Sequence, residues 1–253
     1  MVWIEFRKAI RSKVPFWTVM GSLFMPLAIA FLIFVARNPE ISKKLGLISV
    51  KADLMAYSAT DWASYLGLVA MIVAAGGFFL FVLATSWTFG REFADGTVKD
   101  LLAVPVPRSS ILLAKFIVAV IWSAAISLAM ASVSLIMGVL LKLPGGSSEV
   151  IISGVGTIAA TAGLAILTAF PFAWFASIGR GYLLPLGLVV LILMMSNFIA
   201  LTGRGEFFPW AVPGIFAQGK TSLTFISLMI VILTGLVGMA ITHHWWMRAD
   251  QNK

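Results

Sequence analysis

The chain has 253 residues, of which 60% are hydrophobic and 11% charged, with a formal net charge of +8 and no cysteine. A soluble domain needs about a quarter of its residues charged to cover its surface, so this composition excludes a soluble enzyme or a cytosolic binding module. The missing cysteine excludes a disulfide framework, a thiolate zinc site and a cysteine nucleophile. The basic residues fall between long apolar runs instead of clustering on one solvated face, which argues against a nucleic-acid partner.

The pattern is that of an all-α membrane protein, a single transmembrane domain over residues 1–253. At its start Trp3, Phe6, Ile10 and Val14 share a helical face, with Glu5, Lys8 and Ser12 off it. This predicts an interfacial helix over 2–14 leading into the first span; a plain basic cytoplasmic end is the alternative. About 20 apolar residues suffice to cross a bilayer core. Six runs meet that length: Phe16–Ala36, Trp62–Phe89, Ile111–Leu141, Val150–Ile178, Tyr182–Leu201 and Leu223–Thr242. The first is too long for a signal-peptide core and lacks a clear cleavage site, so it is expected to be retained. The third, helical throughout, would extend on the order of 45 Å and must tilt or project. The longest gap, Arg37–Asp61, is a modest polar loop.

Orientation follows the Lys/Arg bias. Arg7, Lys8, Arg11, Lys13, Arg91, Lys99, Arg108, Lys115, Arg180, Arg248 and Lys253 fall on one side. Arg37, Lys43, Lys44, Lys51, Lys142, Arg204 and Lys220 fall on the other. Eleven against seven, with the first segment on the richer side, places both termini in the cytoplasm.

An ion-coupled transporter carries ionisable groups at depth. These runs offer none near a midplane, and Asn197 is their one amide. His243 and His244 stand beside Trp245 and Trp246, the composition of an interfacial belt more than of a metal or proton site. The segment Gly214–Thr221 fits G-x-x-x-x-G-K-[ST]. Prolines precede it where a phosphate loop needs a buried strand, and a span follows, so the match is coincidental. No metal site and no catalytic residue are expected.

The loop after the second run is the informative stretch. Asp95-Gly96 is a turn signal, and Thr97 with Asp100 fits a capping box. Pro105 and Pro107 stop the helix after about two turns. Val98, Leu101 and Leu102 share one face. Such a helix either plugs a groove on another protein or lies on the lipid surface.

The run Arg91-Glu92-Phe93…Gly96-Thr97…Leu101-Leu102…Pro105…Arg108…Ile111-Leu112…Lys115 resembles the cytoplasmic signature of permeases of type-2 ATP-binding-cassette (ABC) exporters. Six spans with both termini inside match that family's layout. The compact length and Phe208-Pro209-Trp210…Pro213 resemble its small branch, associated with bacitracin and lantibiotic resistance. The resemblance implies a coupling helix docked on a separate ATPase subunit, in an assembly of two permeases, expected to be a homodimer, and two ATPases. ATP and Mg would then sit on the partner, with no cofactor on this chain. Glu92, Gly96, Thr97, Val98, Leu101 and Leu102 would carry the coupling. Glu92 would pair with a basic group of the ATPase, and Gly96 would permit the turn. The family likeness also suggests an elbow helix at the N-terminus and re-entrant helices at Phe208, Pro209, Trp210 and Pro213; an interfacial loop with aromatic anchors is the alternative there. Ala119, Ser123, Ser127 and Ala131 repeat every four residues in the third span, and Ser227, Thr234 and Gly238 line one side of the last. They serve helix packing or, alternatively, a substrate pathway. The expected function is export of an amphipathic peptide antibiotic or a lipid-linked molecule. The competing reading is a membrane scaffold that transports nothing.

Overall fold

The computed structural model describes residues 1–38, 61–98, 105–219 and 224–248. Among them every regular element is helical, and six helical segments are long and apolar enough to cross a membrane. The N-terminal helix α1 covers Val2–Arg11, three residues shorter than predicted. Span 1 consists of α2 (Val14–Ser22) and α3 (Phe24–Arg37). Span 2 is α4 (Trp62–Ile72), one π-helical turn (Val73–Gly77) and α5 (Phe78–Ala94). Span 3 is α6 (Arg108–Leu140). Span 4 is α7 (Ser148–Ala169) broken into α8 (Pro171–Ile178). Span 5 is α9 (Leu183–Leu201), and span 6 is α11 (Phe225–Arg248). Between these last two lies the short α10 (Val212–Ala217).

Each of the six apolar runs thus became a helix, for a plain reason. In hydrocarbon a backbone must satisfy its own polar groups, and an isolated segment can do so only as a helix. Two irregularities escaped the sequence reading. Pro171 lacks the N–H that would continue α7, so span 4 breaks there. The π turn inserts an extra residue into span 2, which sets Ala74 and Ala75 against span 5 and α10.

Packing around the break is close. A Cβ on Gly238 of α11 would lie 2.6 Å from the Pro171 nitrogen, and one on Gly235 would lie 3.1 Å from the Leu167 carbonyl oxygen. The spans at these contacts run parallel, held together by glycines that let the backbones touch. In span 3 Ala119, Ser123 and Ser127 are buried, as are Ser227 and Gly238 in span 6. These small residues therefore face other helices. Thr234 is half-buried and bonds the Ile230 carbonyl of its own helix.

At the end of the bundle that carries both described termini, the aromatic belt expected near Trp245 and Trp246 is corrected. Trp246 is buried, 1% exposed, and its indole donates to the Ser177 hydroxyl at 2.9 Å. Both indoles pack against Phe93. A tryptophan whose N–H finds a protein partner can leave the interface for the core.

Candidate functional site

The loop between spans 2 and 3 leaves from α5 and returns into α6. Its departure is fixed by the backbone. Gly96 adopts φ +71°, its N–H bonds the Phe93 carbonyl at 3.4 Å, and the Thr97 N–H bonds the Glu92 carbonyl at 2.9 Å. This is the glycine-terminated helix end in which a left-handed residue turns the chain out of its axis. Gly96 therefore stands where the sequence placed a turn, and Val98 is half-buried after it. Leu101 and Leu102, with the rest of the expected coupling helix, lie outside the described residues.

Glu92 does not point outward. It is buried, 6% exposed. One carboxylate oxygen meets the Lys115 ammonium at 2.6 Å, and the other lies 3.5 Å from Lys8. Lys115 is fully enclosed; it also reaches Glu5 at 3.2 Å and donates to the Thr88 carbonyl at 2.8 Å. Lys8 returns to Glu5 at 2.8 Å. Two acids and two bases from α1, α5 and α6 thus close a neutral cycle. The expectation that Glu92 pairs with a partner's basic group is corrected here, because both its oxygens are engaged within the chain. Burial would push the Glu5 carboxyl up, but Lys115 and Lys8 outweigh it and hold the group below its ordinary range.

The cycle also shows how α1 is held. Glu5 and Ala9 are the residues it buries, while Trp3, Ile4 and Ile10 remain more than half exposed. The helix shows its apolar side away from the protein and grips the bundle with its charged side. Sequence periodicity found the two faces and gave the apolar one to the membrane interface; the neighbours of the charged one were not visible in it. Lys115, inside the third apolar run, lies in the third turn of span 3, whose helix starts at Arg108.

The loop's return is held as well. The Arg108 guanidinium donates to the main-chain carbonyl of Trp246 at 2.9 Å, near the end of span 6, and Ser109 contacts His243 at 3.1 Å. Carbonyls at a helix C-terminus have no intrahelical donor, and a cation completes them. His243 is therefore a contact of the loop's exit. Among the described residues no group of acids and histidines is arranged to hold a metal.

At the opposite end the segment between spans 5 and 6 folds back into the bundle. The Trp210 indole donates to the Thr168 carbonyl at 3.0 Å, a residue twenty positions along α7 from Ser148, or about 30 Å of helix. Phe208 packs on Trp210, and Pro213 is buried in α10. Gly214 lies inside that helix, whereas a phosphate loop would precede one. A cleft of about 130 Å³ opens beside it, lined by Met71, Ala75, Ser196, Asn197, Trp210 and Gln218. A larger apolar groove of about 750 Å³ runs between Val120, Gly163, Leu167, Phe216 and Leu228. Ser123, Ser127, Ser227 and Thr234 line neither; the Ser227 hydroxyl is buried with no hydrogen-bond partner among the described residues.

A family model described as "ABC-2 family transporter protein" matches residues 1–197. The chain is 27% identical over 182 residues to "Bacitracin transport permease protein BCRB" of Bacillus licheniformis, an alignment covering 71% of this chain and 88% of that one. No solved structure matches.

Proposed function

From the premise that this chain belongs to the ABC-2 family of transporter proteins, we propose that it is the permease subunit of an exporter driven by a separate ABC ATPase. The termini and the loop over 95–107 face the cytoplasm, as the basic residues at that end favour. The observation that carries the reading is the mounting of that loop. It leaves a helix whose last turn is locked by Glu92 and Gly96, and it returns into one whose first residue, Arg108, is bound to span 6. A loop fixed at both ends transmits a push from a docked partner into the spans.

Val98, Leu101 and Leu102 form the docking face, Thr97 opens the helix, and Glu92 acts behind it. ATP and Mg belong to the partner ATPase, in two copies, with a second copy of this chain completing the pathway. The exported molecule is an amphipathic peptide antibiotic or a lipid-linked compound. The similarity to a permease named for bacitracin supports the peptide. The cleft at Trp210 is too small for such a cargo in one resting chain, so transport requires the re-entrant segment Phe208–Pro213 to move or a second copy to enlarge the site.

Affinity purification of the tagged chain in mild detergent is expected to recover an ABC ATPase in equal amount. ATP hydrolysis by that complex should rise on adding bacitracin. Cells without the chain should become more sensitive to such peptides. Purification that brings down no nucleotide-binding subunit would leave the scaffold reading in its place, and unchanged sensitivity would remove the peptide assignment.

A further inference from the structure

The permease reading assigns the loop its work but leaves α1 and Lys115 unused. A lysine in the third turn of a span, near the water, is free to extend its four-carbon stem and keep its charge solvated. Lys115 instead has no exposed surface. It lies between Glu92, at the end of α5, and Glu5, which is 110 residues away in sequence on α1. An ion is buried only at great cost unless it is paired, and pairing here fixes three elements at one point. A second strand of contacts runs parallel to the first: Lys8 faces Glu92, and Arg91 donates to the Lys8 carbonyl at 3.3 Å.

What α1 is joined to completes the path. It passes into span 1 through Lys13, a non-glycine residue with φ 59°. The Ser12 hydroxyl closes that bend by donating to the Ala9 carbonyl at 2.6 Å and accepting from the Val14 N–H, and Pro15 is in the first turn of the next helix. A left-handed lysine followed by a proline-initiated turn permits few alternative geometries. The bend is stiff, so a displacement of α1 is a displacement of α2.

We propose that Lys115 is the positioning residue of an ionic clamp that makes α1 and the loop-bearing end of α5 one rigid lever, carrying loop movement into span 1. The clamp rests on the permease reading for its purpose and on its own contacts for its existence. Glu92 is the junction: its side chain holds Lys115 while its carbonyl holds Thr97 of the loop. Any push on Thr97 therefore reaches α1 without passing through lipid.

The absence of native cysteine allows a direct test in the full chain with its ATPase, in nanodiscs. Spin labels on Ile4→Cys and Ala94→Cys, both exposed, are expected to give one narrow distance that ATP binding leaves unchanged. Labels on Ala94→Cys and Leu201→Cys report whether the spans respond to nucleotide. The double variant Glu5→Gln/Lys8→Met removes the two α1 charges of the cycle and leaves Lys115 and Glu92 as a balanced pair, so the bundle keeps its fold. It should broaden the Ile4–Ala94 distance even without nucleotide. It should also lower transported substrate per ATP at least tenfold while ATPase association stays normal. An Ile4–Ala94 distance that shifts with ATP in the native background would overturn the lever. So would one that stays equally narrow in the double variant. No nucleotide response between Ala94 and Leu201 would instead overturn the permease reading, with the clamp still decided by the nucleotide-free distances.

Discussion

The indole of Trp210 is hydrogen-bonded to the main chain of Thr168, joining the segment between spans 5 and 6 to the interior of span 4. Trp210→Phe keeps an aromatic ring and removes the donor, leaving a carbonyl without that partner in a poorly hydrated place. Such bonds contribute about 0.6–1.5 kcal/mol, or about 1–6 °C in a domain of this size. Thermal unfolding in detergent should show that drop, and Trp210→Ala should show more. An unchanged midpoint for the phenylalanine variant would mean that the bond carries no weight.

Gly238 predicts a larger effect. A side chain there meets the Pro171 backbone, which cannot yield as a flexible side chain would. Gly238→Val should destabilise by about 1–3 kcal/mol, the usual range for overpacking, and force spans 4 and 6 apart. Gly187→Ala, whose added carbon meets nothing within 4 Å, is the control and should equal or slightly exceed the native midpoint, since a helix interior favours alanine over glycine.

Acid should loosen α1. The native Glu5 carboxyl titrates below its ordinary 4.5 because Lys115 and Lys8 outweigh the burial that opposes ionisation. The unfolded chain therefore binds the proton first, and stability rises with pH across that interval. The contribution is complete above pH 4.5 and is lost as pH falls through the lowered native value. Unfolding midpoints measured from pH 7 to 3.5 should fall at the acid end, and Glu5→Gln should flatten that fall. An identical profile in the variant would assign the acid sensitivity elsewhere.

Leu101→Asp places a carboxylate on the apolar face predicted to dock. Leaving such a charge in a hydrophobic contact is strongly unfavourable. The variant should insert into the membrane at normal yield and lose at least tenfold of the co-purifying ATPase. Full recovery of the complex would show that the docking face lies elsewhere.

The spans were legible because a helix surrounded by lipid must be apolar on nearly every side, and each such run stands out in the order of residues. Pro171 was a visible signal for the break in span 4, overlooked inside a long apolar run. The π turn had no such mark, since Val73–Gly77 reads like its neighbours. The ion cycle was out of reach for another reason. Glu5, Glu92 and Lys115 are ordinary charges near span ends until folding brings α1, α5 and α6 together. The same holds for Trp246, whose interfacial composition is overruled by one hydroxyl on Ser177.

The distance in sequence between Glu5 and Lys115 also orders events during synthesis. Residue 115 must be made before the contact exists, and at 5–20 residues per second that takes on the order of ten seconds. Until then the two acids have only Lys8 for company, and α1 has nothing in span 3 to hold. A nascent chain stopped after residue 98 would hold α1 through Lys8 alone, whose ammonium reaches Glu92 and whose carbonyl accepts from Arg91.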